Sequence, residues 1–228
     1  YRGEWRLLTP ARGEIYDRSG SLLAGNKEVY EIGVDLVVLK EMEAYGRESP
    51  EAIAMIVQTY LGLDYQISMG RISSAVEGQR YVLLGNYVDP APVQVLKDLE
   101  VALAKAEKEG TLDESAAVKS LNSLVYTPQM ARSYPENSLA YNILGFVARN
   151  GQGYYGVEER YDNLLAGKPE WVWLPRDPYL AAQRVELPPG VSVILTLDRE
   201  IQASMESLLD HSLKDNGAVG GTIMVMNP

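Results

Sequence analysis

The sequence predicts a mixed α+β fold, and three observations predict it. Runs rich in β-branched residues read as strands, and capped stretches with apolar residues at helical spacing read as helices. The two kinds follow one another without the regular βαβ alternation of a doubly wound sheet, and no internal repeat is visible. With 228 residues, 46% hydrophobic and 23% charged, the composition is that of a globular chain able to bury a substantial core as one large or two modest domains.

Taken in order, Glu14 to Tyr16 and Ser21 to Leu23 favour short strands, and Asp17-Arg18-Ser19-Gly20 between them is a turn. Asp stands at the first turn position and Gly where a positive φ is cheap. Val29 to Leu39 is rich in β-branched residues and reads as a strand. Ser49-Pro50-Glu51 supplies an N-cap, an N1 proline and an early acid for a helix carrying Ile53, Ile56, Val57, Tyr60 and Leu61, which ends at Gly62. Tyr65 to Val76 reads as a second helix, Arg80 to Val88 as a strand and Ala91 to Glu109 as a charged amphipathic helix. Gly110 to Asn122 has the weakest pattern; Val125 to Arg132 reads as extended and Ser138 to Leu144 as a short helix.

Further on, Val157, Tyr161, Leu164 and Leu165 share a helical face that Gly167 would terminate. Glu170 to Leu174 alternates like a strand, and Pro175, Pro178, Pro188 and Pro189 mark a connection. Ser192 to Leu197 reads as a strand. Asp198 then caps a helix expected to turn Ile201, Met205, Leu208, Leu209 and Leu213 inward and to end at Gly217; Thr222 to Met226 reads as a last strand.

Charge and composition exclude several function classes. The formal net charge of −10 and the lack of a basic run argue against nucleic acid, whose binding rests on Lys and Arg neutralising phosphates. The absence of cysteine removes disulfides, thiolate catalysis and Cys-ligated zinc. No apolar run approaches the ~18 to 20 residues that cross a bilayer, so the chain as it stands is expected to be soluble. A start without Met at Tyr1-Arg2-Gly3-Glu4 leads to the expectation of a segment upstream.

Three stretches, in order, carry a resemblance. The first is Arg12-Gly13-Glu14-Ile15-Tyr16-Asp17-Arg18-Ser19-Gly20-Ser21-Leu22-Leu23-Ala24. The second comprises Arg132-Ser133-Tyr134-Pro135, Leu144-Gly145-Phe146-Val147, Gly153-Tyr154-Tyr155-Gly156-Val157-Glu158 and Tyr161-Asp162-Asn163-Leu164-Leu165-Ala166-Gly167. The third is Pro189-Gly190-Val191-Ser192-Val193-Ile194-Leu195-Thr196-Leu197-Asp198-Arg199-Glu200-Ile201-Gln202. Together they resemble the N-terminal module of class B penicillin-binding proteins, the cell-wall transpeptidases, followed by the opening strand and helix of the penicillin-binding domain. Ser19 departs from the Asn usual in that family, a mild change because Ser also supports turns.

The resemblance implies an elongated α+β pedestal, or dimerisation, domain over residues 1–187 and the first elements of a transpeptidase domain over residues 188–228. It implies as structural motif residues Arg12, Gly13, Asp17, Arg18 and Gly20, then Arg132, Pro135, Gly145, Gly156, Glu158 and Gly167, then Thr196, Asp198 and Gln202. No catalytic, cofactor or metal residue is implied. The expected partners are the chain's own transpeptidase domain, a polytopic peptidoglycan glycosyltransferase and other cell-wall assembly proteins, with a homodimer open. The expected location is the extracytoplasmic face of the bacterial cell membrane, held by an anchor outside this chain.

The transpeptidase chemistry itself is missing from the sequence. No Ser has Lys three residues on, and no Lys begins Lys-Thr-Gly. Ser120-Leu121-Asn122 matches Ser-x-Asn literally but precedes the expected domain and has no nucleophile beside it. The chain is therefore expected not to be an enzyme, whereas its parent would be a serine-type transpeptidase.

Other readings compete at particular residues. Gly151-Gln152-Gly153-Tyr154-Tyr155-Gly156 is a literal G-x-G-x-x-G with Asp177 some way on. Glu158 and Glu159 in the following turn would repel a pyrophosphate, so turn glycines are the expected reading. Glu14 with Asp17, or Glu158 with Glu159, could serve a glycosidase, but such closely spaced acids usually diverge. A charge cluster of Arg12, Asp17, Arg18, Arg132 and Glu158 joining the hairpin to the middle of the chain is the structural alternative. His211, the only histidine, is placed in the last turn of its helix, where a cation suits the dipole. Fifteen Tyr and three Trp, with Trp171 and Trp173 on one strand face, leave open a glycan-binding or glycan-cleaving module of the cell envelope, against packing in a core or interface.

Overall fold

The computed structural model describes residues 3–113, 116, 118–175 and 187–226. The chain forms two compact units, one of residues 1–27 with 132–228 and one of residues 28–131. Strands and helices are mixed in both.

In the first unit, β1 (Gly3–Leu8) pairs antiparallel with β8 (Glu170–Pro175) as a two-stranded ribbon. Trp5 lies opposite Trp173 and Leu7 opposite Trp171, so all three tryptophans share one ribbon face. They are exposed there, Trp5 at 65% and Trp171 at 66%, which excludes the core role weighed for them. β2 (Ile15–Tyr16) pairs antiparallel with the start of β3 (Leu22–Asp35) and parallel with β9 (Val193–Ile194). The turn between β2 and β3 is built as the sequence predicts: Asp17 N–H donates to Ser21 O, and Gly20, at φ +86°, closes back on Asp17 O.

β6 (Phe146–Val147) and β7 (Gly153–Tyr154) form a small hairpin. Around it lie the short helices α5 (Tyr141–Leu144), α6 (Gly156–Arg160) and α7 (Asp162–Leu165). The single helix expected over Val157 to Leu165 is thus broken at Tyr161; Leu165 is buried, while Tyr161 and Leu164 face solvent. Ile15, Leu23, Ala24, Leu139, Ala140, Leu144 and Leu165 make this unit's core, with Val193, Leu195 and Leu197 packed on it.

α8 (Arg199–Asn216) starts at its Asp198 cap, whose carboxylate accepts the Glu200 and Ile201 N–H groups, and stops at Gly217, φ +61°. Its apolar residues are not buried, contrary to expectation: Ile201 is 50% and Leu208 53% exposed. An apolar helix face is buried only when another element covers it, and periodicity alone cannot supply that element. His211 lies one turn before the last, its Nδ1 against Ser207 O. Residues 222–226 make no strand, because no described strand pairs with them.

In the second unit, the rest of β3 pairs antiparallel with β4 (Tyr81–Val88), and β5 (Leu124–Ser133), which begins in this unit, also pairs with β3. β3 ends earlier than the β-branched run predicts. Asp35 caps α1 (Leu36–Ala44) by accepting from Val37 and Val38, so a local cap overrides strand propensity. α2 (Pro50–Leu61) carries its predicted Ser49 cap and its Gly62 terminus at φ +67°. α3 (Tyr65–Ser73) and α4 (Pro90–Glu109) follow. Ile32, Val34, Ile53, Val57, Leu84, Val93 and Leu96 are central to a core of this unit's own. Buried Glu48 accepts from Ser120 Oγ at 2.5 Å and from the Asn122 and Ser123 N–H groups, so Ser120-Leu121-Asn122 is a capped loop.

Among the described residues no helix is long and apolar enough to cross a membrane.

Candidate functional site

Three motif residues of the first unit, Arg12, Arg132 and Glu158, meet at one buried carboxylate. Glu158, on α6, is fully buried. Its Oε2 accepts from Arg12 Nε at 2.8 Å and its Oε1 from Arg132 Nε at 2.7 Å and from the Tyr134 hydroxyl at 3.3 Å. Arg12, in the segment before β2, also donates to the Gly151 and Glu158 carbonyls, both at 3.1 Å, and pairs with Asp162 at 2.7 Å. Arg132, at the end of β5, donates to Gly13 O at 2.8 Å, and its Nη2 is buried without a partner. Burial first, then the Glu158 charge, pushes the Tyr134 hydroxyl up to about 12. One carboxylate therefore ties segments from distant parts of the sequence by charge-assisted bonds.

Asp17 and Arg18 stand outside this cluster. Asp17 is buried and acts locally: Oδ1 accepts the Ser19 and Ser21 N–H groups at 2.8 Å, and Oδ2 accepts Arg199 N–H at 3.3 Å. Burial alone would raise its carboxyl, but the Ser21, Ser19 and Arg199 N–H bonds and the Arg199 charge hold it below the usual range. Arg18 donates its N–H to Leu197 O, while its exposed side chain lies 4.0 Å from Asp198. The hairpin turn is thereby joined to the start of α8.

The glycines of the motifs mark places where backbones touch. A Cβ on Gly13 would overlap Val191 O, one on Gly145 would overlap Tyr155 O, and one on Gly156 would overlap Ile143 O. Gly167, at φ +68°, ends α7 against Pro10. Pro135 is exposed at the turn after Tyr134, and Thr196 is exposed in the bend before Asp198. Gln202 donates to Glu206 Oε1 at 2.8 Å, which also accepts Ala140 N–H.

The competing chemistries lose their geometry here. In the G-x-G-x-x-G stretch, Gly153 N–H donates to Asp162 and Tyr155 N–H to Glu159, so these amides already hold carboxylates and offer no phosphate cradle. Asp177 lies outside the described residues. Glu158 is sealed between arginines while Glu159 turns outward to Tyr155 N–H, and Glu14 takes the Tyr16 hydroxyl while Asp17 takes turn amides. Neither acid pair faces across a groove as a glycosidase needs. Among the described residues no cluster of ligating side chains could hold a metal ion.

Sequence reasoning missed Asp162, Glu48 and the role of Tyr134. Asp162 and Tyr134 stood inside the quoted stretches, whereas Glu48 had no signal beyond a lone acid before a helix cap.

A second feature of this unit is a cavity of about 480 Å³ lined by Tyr134, Asn137, Tyr141, Asn142, Leu144, Gly145, Phe146 and Tyr155. Its aromatic rings are largely exposed, Tyr141 at 64% and Tyr155 at 69%.

Comparison with known proteins finds relatives over nearly the whole chain. The chain is 24% identical to a probable peptidoglycan D,D-transpeptidase, PenA, of Neisseria meningitidis, over 97% of the chain and 35% of the relative. It is 23% identical to the peptidoglycan D,D-transpeptidase FtsI of Escherichia coli, over 96% of the chain and 34% of the relative. The chain thus spans about a third of the length of the curated relatives it matches. Its fold is shared with penicillin-binding protein PBP2 of Helicobacter pylori, solved in complex with MreC, at a TM-score of 0.57 and 18% identity, covering 92% of this chain and 39% of that one. The model of the penicillin-binding protein dimerisation domain matches residues 7–179, and the chain belongs to that family.

Proposed function

We propose that the chain is the non-catalytic pedestal of a class B penicillin-binding protein, a peptidoglycan D,D-transpeptidase whose catalytic domain it positions. The observation that carries this is the Glu158 centre: a buried carboxylate bonded to arginines from two distant segments holds a scaffold in one geometry and offers nothing to a substrate. The pedestal proper is residues 1–187, and residues 188–228 open the transpeptidase domain, as the third family-like stretch supports.

In the intact protein the pedestal is held by a membrane anchor on the extracytoplasmic face. It presents a surface to a polytopic glycosyltransferase and other cell-wall assembly proteins, and a homodimer is a further use of it. The H. pylori relative solved with MreC supports protein partners as a class. The chain needs no cofactor and does not bind nucleic acid. Lacking Ser-x-x-Lys and Lys-Thr-Gly, it is not itself an enzyme.

Fluorescent penicillin tests the reading. This chain stays unlabelled, and the product of the gene read through both ends labels at a downstream Ser-x-x-Lys serine. Labelling of the chain itself, or a full-length product that does not label, would refute the proposal.

A further inference from the structure

The ribbon of β1 and β8 carries an apolar face that the pedestal reading leaves unused. Trp5 stands opposite Trp173 and Leu7 opposite Trp171, and facing residues of an antiparallel pair project to the same side. Trp5 is 65%, Leu7 52%, Trp171 66% and Trp173 40% exposed, whereas Leu8 and Val172, which alternate to the other side, are half-buried. The apolar face is therefore the outer one, and it holds every tryptophan of the chain.

Its extent argues against a folded protein as the occupant. With about 200–250 Å² for each large side chain, the four leave roughly 500 Å² uncovered. A stable protein pair takes about 800 Å² from each partner, so neither a second copy nor another folded partner is held by this ribbon alone. The patch is nonetheless near the upper end of what a soluble monomer exposes.

A bilayer surface sets no such threshold, since each ring enters it separately. Tryptophan suits that boundary: the ring leaves water while the indole N–H reaches lipid ester carbonyls. The ribbon backbone limits the depth. Among the described residues β1 and β8 pair only with each other, so their outer edges keep N–H and C=O groups that hydrocarbon cannot satisfy, and only side chains enter.

Charge then selects the kind of surface. The two strands hold two Glu and one Arg, and the chain's net charge is −10, so an anionic surface repels the chain. A zwitterionic surface fits, bound by rings and not by counter-charges.

We propose that the β1–β8 ribbon is a peripheral contact for a zwitterionic bilayer surface, with Trp5, Trp171 and Trp173 seated at the level of the lipid head groups and Leu7 beside them. The contact is weak, because four side chains bury far less than a spanning helix, and it orients a chain brought to the surface by other means. The proposal goes beyond the pedestal reading and does not depend on penicillin labelling, so either can fail alone.

The face supplies its own reporter, because no tryptophan lies elsewhere in the chain. The whole chain is titrated with large unilamellar vesicles of phosphatidylcholine while tryptophan emission is followed. A saturable blue shift at millimolar lipid is expected, unchanged by about 0.5 M NaCl, with stronger quenching by lipids brominated near the head group than by lipids brominated at the chain end. Replacing about a third of the lipid by phosphatidylglycerol leaves binding unchanged or weakens it. Trp171→Thr, at an exposed position and with strand propensity kept, binds about tenfold more weakly; Leu7→Thr, which keeps all three reporters, binds about threefold more weakly. Three results would overturn the proposal: no shift at about 10 mM lipid, a shift that salt abolishes or that requires the anionic lipid, or affinity unchanged in both variants. A blue shift that grows with protein concentration in the absence of lipid assigns the face to a second copy and overturns it as well.

Discussion

Glu158→Gln is the sharpest test of the buried centre. The substitution keeps the side chain's shape but removes its charge and turns one acceptor into a donor that faces a guanidinium. Glu158 is fully buried and receives Arg12 Nε, Arg132 Nε and the Tyr134 hydroxyl, so the loss strands charge where water cannot compensate. The two arginines are not stranded equally. Arg12 keeps Asp162 and two carbonyls, whereas Arg132 keeps no carboxylate among these contacts, only Gly13 O and the Tyr134 hydroxyl beside it, and already has an unpartnered Nη2. Breaking a buried pair from one side costs about 3–5 kcal/mol, and the remaining bonds of Arg12 place the expectation near the lower end. With a urea m-value of about 2 kcal/mol/M, a loss of about 3 kcal/mol lowers the midpoint by about 1.5 M. All three tryptophans lie in the unit that holds the centre, so their fluorescence follows the right transition. Adding Arg132→Met to Glu158→Gln removes the stranded charge and should recover about 1 kcal/mol or more, a coupling that a double-mutant cycle reads directly. A midpoint shift under about 0.5 M, or no coupling between the two positions, would refute the reasoning.

Gly13→Ala places a methyl group on the Val191 carbonyl, where backbone and not a flexible side chain must move; about 2–4 kcal/mol of destabilisation is expected in the same urea assay. Tyr134 gives an alkaline signature. Its folded pKa, about 12, stands above the ~10 of an unfolded Tyr, so its contribution is complete below pH ~10 and is lost as pH rises to about 12. Thermal melts at rising pH should therefore fall in that window, and Tyr134→Phe should flatten the fall; an unchanged slope in the variant would count against the assignment. Asp17 acts at the other end of the scale. Its lowered folded pKa means stability present above the unfolded value near ~4 and lost as pH falls further, so Asp17→Asn should blunt acid unfolding.

How much of this was legible beforehand depends on the range of the interaction involved. The Asp17 to Gly20 turn, the Ser49 cap, the Gly62 and Gly217 termini and the Asp198 cap are short-range chemistry, and each stands where the sequence places it. Where two local signals conflicted, the sequence was misread: the β-branched run to Leu39 hides the Asp35 cap that starts a helix inside it. Where burial needs a partner, periodicity overreached, as the exposed Ile201 and Leu208 and the unpaired residues 222–226 illustrate. The charged motif residues were visible as a set, but Asp17 and Arg18 were grouped with Arg12 on charge alone. Only coordinates separate a turn carboxylate from one bonded to arginines of two other segments.

By itself, then, the sequence determined the α+β class, most helix caps and turns, and the family, because these rest on residues within a few positions of one another and on motifs preserved in order. Tertiary structure alone decided that Arg12 and Arg132 meet on Glu158, that Asp162 joins them, that the tryptophans share an exposed ribbon face, and that aromatic residues line a cavity beside Tyr134. The reason is physical. A salt bridge across 146 positions, like a cavity, is a property of which surfaces the folded chain brings together, and no local preference encodes it.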